Sequence, residues 1–295
     1  MDTFTDVNAN GSVFAQTETG NISYGGEVKA KETVTAEVAD IGDIRYEGNV
    51  EAGKGVTGTV NRGNVAYSGD VASQSADVIA TVSNGSISYS GDVKAGRNVI
   101  GTIKEVGDIT YLGSVRGNDE VKGTATNGQI TYNGDVIAVN NNVTAEVGTG
   151  KVQYGGNVQA PRGNVTAAMS NGVIQYDGSV NAGRNVEAKV TGSGFVSYLK
   201  PVNPGRNITA DVNLGDILYN NDIMAGRSII ARTGSGSVAF MGRVTAGKDL
   251  PEQIRKGYGK IAYYDRFGLV GYSNSFDVVP VRNAATDEIE FSEGQ

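Results

Sequence analysis

Five cations sit at one recurring place in this 295-residue chain: Arg162, Arg184, Arg206, Arg227 and Lys248 follow one another at intervals of 21 or 22, with Lys54 and Arg97 further up. Guanidinium and ammonium groups set side by side bind carboxylate or sulfate through charge-assisted hydrogen bonds, so such a strip would hold an acidic polysaccharide, lipopolysaccharide or an acidic protein. The competing reading makes them turn residues whose long side chains splay into solvent at small cost. A second series is aromatic: Tyr24, Tyr46, Tyr67, Tyr89, Tyr111, Tyr132, Tyr154, Tyr176, Tyr198, Tyr219 and Phe240. Facing outward it would bind glycans or a partner. Facing inward it would be a stacked structural spine whose hydroxyls reach a corner. Carboxylates also recur, with Asp70, Asp92 and Asp135 sharing a turn interrupted by Ser114, and Asp108 and Asp216 a less regular one. Stacked carboxylates bind Ca²⁺, but the calcium-loading nonapeptide repeat is missing. An Asp, Asn or Ser after Gly has a sufficient role in closing its turn by bonding the local backbone.

Composition narrows the chemistry further. The chain has no His and no Cys, which removes the usual general base, thiol nucleophiles, disulfides, zinc sites and iron–sulfur ligation. No enzyme activity, metal or cofactor is expected. A net charge of −7 with 19% charged residues disfavours a nucleic-acid partner, because phosphate would repel the chain. No run approaches the ~18 apolar residues of a membrane span, so membrane insertion is not expected either. The N-terminus Met1–Val13 has neither a basic region nor an apolar core. The chain is therefore either cytoplasmic or an excised piece of an exported protein.

The elements that position these residues are legible from the aromatic clock. Its intervals are 21 or 22 residues from Tyr24 to Phe240, and Tyr263 continues it after 23. Around each mark the same frame returns, as in Gly107-Asp108-Ile109-Thr110-Tyr111 and Gly215-Asp216-Ile217-Leu218-Tyr219. Within a unit the apolar residues fall two apart (Ile44 and Tyr46, Val50 and Ala52, Val56 and Val60), which is a strand period and not a helical one. Gly and small polar residues cut each unit into about three strands of roughly three to five residues. Asn-Gly pairs such as Asn84-Gly85, Asn127-Gly128 and Asn171-Gly172 argue for hairpins and an antiparallel meander. A meander, however, has no need of the same residue at every 22nd position. A coil stacked on its own copy does, because parallel in-register strands about 4.8 Å apart place each side chain on its counterpart. The predicted fold is an all-β, single-stranded parallel β-helix (β-solenoid) of about eleven coils, a rod on the order of 50 Å long. The parity of the tyrosines puts them inward with Ile44 and Ile109. Outward Thr rows of an ice-binding surface are broken by Ile79, Ile100, Lys122, Glu187 and Ile230, which rejects that reading.

Residues 1–248 read as the repeat array, which starts in the middle of a unit, since Asp6-Val7-Asn8-Ala9 aligns with Asp92-Val93-Lys94-Ala95. A piece of a longer array, or a module that associates end to end, would begin this way. Residues 249–295 read as a C-terminal cap: a short helix or turn at Pro251–Lys256, strands at Lys260–Asp265 and Gly268–Tyr272, and an acidic tail at Asp287–Glu293 that frays or forms an edge strand.

The units Asp92-Val93-Lys94-Ala95-Gly96-Arg97-Asn98-Val99 and Ser179-Val180-Asn181-Ala182-Gly183-Arg184-Asn185-Val186 resemble the repeats of filamentous-haemagglutinin-class bacterial exoproteins, and most closely those of the leukotoxin-like filamentous adhesins. The resemblance spans residues 6–248 and rests on repeat style. It implies a right-handed coil, two-partner secretion, an extracellular or cell-surface location, and a role in adhesion, host-cell damage or contact-dependent competition, with a host-cell surface or an extracellular glycan or protein as partner. The unit here is about two residues longer than the usual haemagglutinin repeat, and neither a secretion domain nor a toxin tip is visible. The alternative resemblance is to the bactofilins, cytoplasmic β-helices that assemble end to end. The long coil and the C-terminal extension count against it. A polysaccharide-processing β-helix enzyme is disfavoured by the uniform coils, which offer no cleft.

Overall fold

Valines and isoleucines two apart stiffen the backbone into short extended runs with one apolar face, and such a run is stable only where that face is covered and its edges are paired. The computed structural model satisfies both needs by winding. It describes residues 2–3, 5–227, 229–242, 244–246, 258–265, 268–273, 278–282 and 289–293, with side chains over 5–227 and 229–242. The chain forms a parallel β-solenoid of about eleven coils, followed by a distinct β-rich C-terminal region.

One coil shows the plan. Val93–Ala95 forms the first wall, Val99–Val106 the second and Ile109–Tyr111 the third. The first walls of successive coils make a twelve-stranded parallel sheet, and the other two walls join in a nineteen-stranded sheet. Register is residue on equivalent residue: Val93 on Val115, Thr102 on Thr124, Ile109 on Ile130 and Tyr111 on Tyr132. Inward positions are valine, isoleucine, alanine, glycine and tyrosine, and they form one continuous buried core. Two small polar side chains admitted to it are bonded: Thr233 Oγ1 donates to the Gly215 carbonyl at 2.7 Å, and Ser73 Oγ to the Lys54 carbonyl.

First walls such as Val93–Ala95 and separate third walls such as Ile109–Tyr111 have three residues, within the expected three to five, but the other strands of the coils are longer. The second wall runs seven or eight residues, as in Val56–Arg62 and Val34–Ile41. From Val121 onward the second and third walls merge into strands of 12 or 13 residues, such as Val121–Tyr132 and Val186–Tyr198. The corner glycine bends the chain without interrupting the ladder, because Gly128 still pairs with Gly150 and Gly150 with Gly172. Alternation between 21 and 22 residues is absorbed beside that corner, where the register shifts between Ile103 and Val106.

The remaining corners are held by side-chain ladders. Asn49 Oδ1 accepts the Asp70 N–H (2.9 Å), Asp70 that of Asp92 (2.8 Å) and Asp92 that of Ser114 (2.8 Å). At another corner Asn164 accepts from both the N–H and the Nδ2 of Asn185 (3.1 Å each), and Asn185 from those of Asn207 (3.3 and 3.1 Å). Sequence reasoning assigned these side chains to their own turns, whereas they bond the equivalent residue one coil away. The reason is geometric: the next coil's N–H points along the stacking axis at a corner where the wall ladder is interrupted, and the carboxyl or amide oxygen reaches it. Asn164→Ala would therefore strip the Asn185 N–H of its acceptor, costing about 1–3 kcal/mol. Hydrogen exchange should show the Asn185 amide losing protection while distant coils keep theirs.

Beyond the last full coil, Tyr258–Asp265 pairs in parallel with the preceding long strand, setting Tyr263 on Phe240, and Gly268–Ser273 then pairs antiparallel with it. Within the acidic tail, Ile289–Glu293 is a strand that pairs antiparallel with Val278–Arg282. The helix or turn expected at Pro251–Lys256 lies outside the described residues.

Candidate functional site

The tyrosine column faces inward. Tyr46 through Tyr219 are 0–1% exposed, and each ring lies flat on the next with centroids 4.8–5.1 Å apart and planes within 6°. Tyr24 begins the stack half-buried and Phe240 continues it at 5.0 Å. An outward aromatic strip for glycans is thereby excluded over these coils. The hydroxyls do not emerge at a corner as expected. They end against the small inner position of the second wall in the same coil, where a Cβ added at Gly58, Gly101 or Gly123 would lie 2.9 Å from the Oη of Tyr67, Tyr111 or Tyr132. This complementarity explains why that inner position carries only glycine or alanine: the tyrosine already spans the interior. Nine of the hydroxyls, from Tyr46 to Tyr219, are buried with no hydrogen-bond partner in the protein. Burial pushes these phenols well above their ordinary range, so they stay protonated.

The basic strip is shorter than its spacing implied. Backbone bonds run from the Arg206 N–H to the Arg184 carbonyl and from the Arg227 N–H to the Arg206 carbonyl, both 2.8 Å, so these three are stacked. Arg162 is not in this column: the Arg184 N–H bonds the Gly163 carbonyl (3.0 Å), which puts Gly163 at the equivalent place. Arg162 occupies an inserted position and donates from Nη1 to Asn140 Oδ1 at 2.9 Å. A signal for this was present, since Val158 to Val165 is 7 positions whereas Val180 to Val186 is 6. The tyrosine clock hides the insertion because the following strand is one residue shorter. Lys248 lies outside the described residues.

Arg184, Arg206 and Arg227 combine stacking on one another with the lack of an ion pair among the described residues. Several other cations on the described surface meet a carboxylate about one coil away: Lys54 meets Glu32 (2.9 Å), Arg232 meets Asp211 (3.1 Å), Arg97 approaches Asp77 (3.7 Å), Lys122 approaches Glu146 (3.6 Å), and Arg62 is bonded to Asp40, whereas scattered cations such as Lys94, Arg116 and Lys189 form no ion pair among the described residues. None of the ion pairs among the described residues involves Arg184, Arg206 or Arg227, all three of them exposed. Beside them the first wall presents Gln159, Asn181 and Asn203 in one outward row. A depression of about 180 Å³ lies there, lined by Gln159, Pro161, Asn181, Ala182 and Gly183. That is below the roughly 300–1,000 Å³ of ordinary small-molecule pockets, and its shape suits a surface contact.

The carboxylates considered for calcium serve the corners. Asp70, Asp92 and Asp135 each give Oδ1 to a backbone N–H of the next coil, as do Asp108 and Asp216. Among the described residues no three metal-ligating side chains converge, and no helix is long and apolar enough to cross a membrane.

Architecture and corner chemistry together define a rod-like β-solenoid scaffold. Against known proteins, the chain matches no family model, no curated protein and no solved structure.

Proposed function

We propose that this chain is a non-enzymatic rod segment of a secreted or surface-exposed bacterial filamentous adhesin of the haemagglutinin class, holding a binding surface or a distal domain away from the cell. The observation that carries this reading is the uniformity of the coils: from Val13 to Phe240 equivalent residues stack with shifts of no more than one residue, and corners are closed by side-chain ladders where enzymes of this architecture carry long loops. The unpaired arginines at 184, 206 and 227, next to the amide row, form the surface best suited to an acidic extracellular glycan: guanidinium forks for carboxylate or sulfate, amides for hydroxyls. A self-assembling cytoplasmic polymer is less well supported. The long sheet ends in Gly268–Ser273 running antiparallel, so a parallel ladder is not continued there.

The test is binding of the chain to immobilised sulfated and uronate polysaccharides. Wild type should bind with strong salt dependence, and the triple variant Arg184→Gln, Arg206→Gln, Arg227→Gln should lose about tenfold or more in affinity at an unchanged melting temperature. Release of oligosaccharide product would make the chain an enzyme. Concentration-dependent filaments without glycan binding would favour the polymer.

A further inference from the structure

Nine buried hydroxyls in a row without a protein partner are the most costly groups in the described structure. Folded proteins leave few such groups, and each bare one costs free energy that phenylalanine in its place would avoid. Phenylalanine fits: Phe240 stacks on Tyr219 at 5.0 Å and 6°, the same geometry as any tyrosine pair. Yet nine consecutive coils keep the oxygen, which points to a partner outside the polypeptide.

Geometry narrows what that partner is. Because the rings are nearly parallel, successive Oη atoms are offset by about the ring spacing of 4.8–5.1 Å. That is far beyond the ~2.7–2.8 Å of an O–H···O bond, so the hydroxyls cannot bond one another. The wall they face is glycine and alanine, which offers no polar side chain, and at Gly58, Gly101 and Gly123 the hydroxyl ends too close to the backbone to admit an organic ligand. A water remains. Two hydrogen bonds of about 2.8–2.9 Å meeting at one oxygen at about 110–120° set the outer oxygens roughly 4.6–5.0 Å apart, which is the spacing of the column.

We propose that one water bridges each successive pair of hydroxyls from Tyr46 to Tyr219, so that nine hydroxyls and eight waters alternate in a single hydrogen-bonded file through the rod. Each of the seven inner hydroxyls donates to the water on one side and accepts from the water on the other, Tyr46 and Tyr219 at the ends bond one water each, and every water has two protein partners. The file ties coil to coil at the centre of the interior, where the backbone ladders of the walls do not reach.

Two readouts on the full chain test this. High-resolution diffraction from wild-type crystals should show a density peak within hydrogen-bonding distance of the Oη of both Tyr132 and Tyr154. In Tyr132→Phe, two waters lose a partner, so the amides of the coils around Tyr111 and Tyr154 should open about tenfold more often by hydrogen exchange. A bare hydroxyl gives the opposite sign, since its removal relieves a penalty. Slower or unchanged exchange in Tyr132→Phe, or no density between the hydroxyls, overturns the proposal.

Discussion

Raising the pH through 10 unfolds the rod in one steep step. The nine core phenols are held protonated by burial, while in the unfolded chain each ionises near its ordinary value of 10.0. The folded form therefore binds more protons than the unfolded form above pH 10, and stability falls as pH rises. It is fully present below 10 and is lost as pH climbs toward the raised folded values. Linkage gives about 1.4 kcal/mol per phenol per pH unit, so nine together remove on the order of 12 kcal/mol per unit, as much as the whole stability of a typical domain. Phenolate absorbance and the loss of β-sheet circular dichroism should rise together over a narrow range. Stepwise ionisation near pH 10 with the β signal intact would mean that the tyrosines face solvent.

A single methyl group at a corner should be nearly as damaging. Gly107 has φ +148°, and a Cβ there would sit 1.6 Å from the Gly85 carbonyl oxygen of the coil below. Gly107→Ala must therefore both strain its own backbone and push two coils apart, and we expect a loss of about 4 kcal/mol or more. Gly20 is the internal control. It too has positive φ (+105°), but a Cβ there meets nothing within 4 Å. Gly20→Ala should cost only the backbone strain, roughly 1–2 kcal/mol. Melting curves of the two variants, with hydrogen exchange to show that the damage centres on coils adjoining residue 107, separate stacking from local conformation. Equal effects at both glycines would contradict the close approach of successive corners.

Most of the fold could be read from the sequence because stacking makes neighbours in space of residues one unit apart. The recurrence of Ile109-Thr110-Tyr111 as Ile130-Thr131-Tyr132 encodes both the strand and its partner, and the parity of Tyr with Ile encodes which side is inside. Less legible were features that depend on where a short side chain points at a corner. Asp70 or Asn164 can close its own turn or bond the next coil, and the two choices use the same residue types. The displacement of Arg162 was encoded in the valine spacing but masked by a compensating deletion in the following strand. That the hydroxyls find no partner within the protein had no sequence signature, since only the opposing Gly/Ala wall and the ring spacing create it.

The backbone advances one coil per unit with equivalent residues directly above one another. Thr59, Glu146 and Arg232 belong to one outward row, through the pairings Thr59–Thr81–Thr102–Thr124–Glu146 and Glu146–Ala168–Lys189–Asp211–Arg232. The chain has no native cysteine, so spin labels can be placed at these sites alone. Pulsed dipolar spectroscopy should give about 19 Å between labels at 59 and 146 and about 38 Å between labels at 59 and 232, a doubling for twice the number of coils at ~4.8 Å each. A 59–232 distance equal to or shorter than the 59–146 distance would show a chain folded back on itself and would contradict the solenoid.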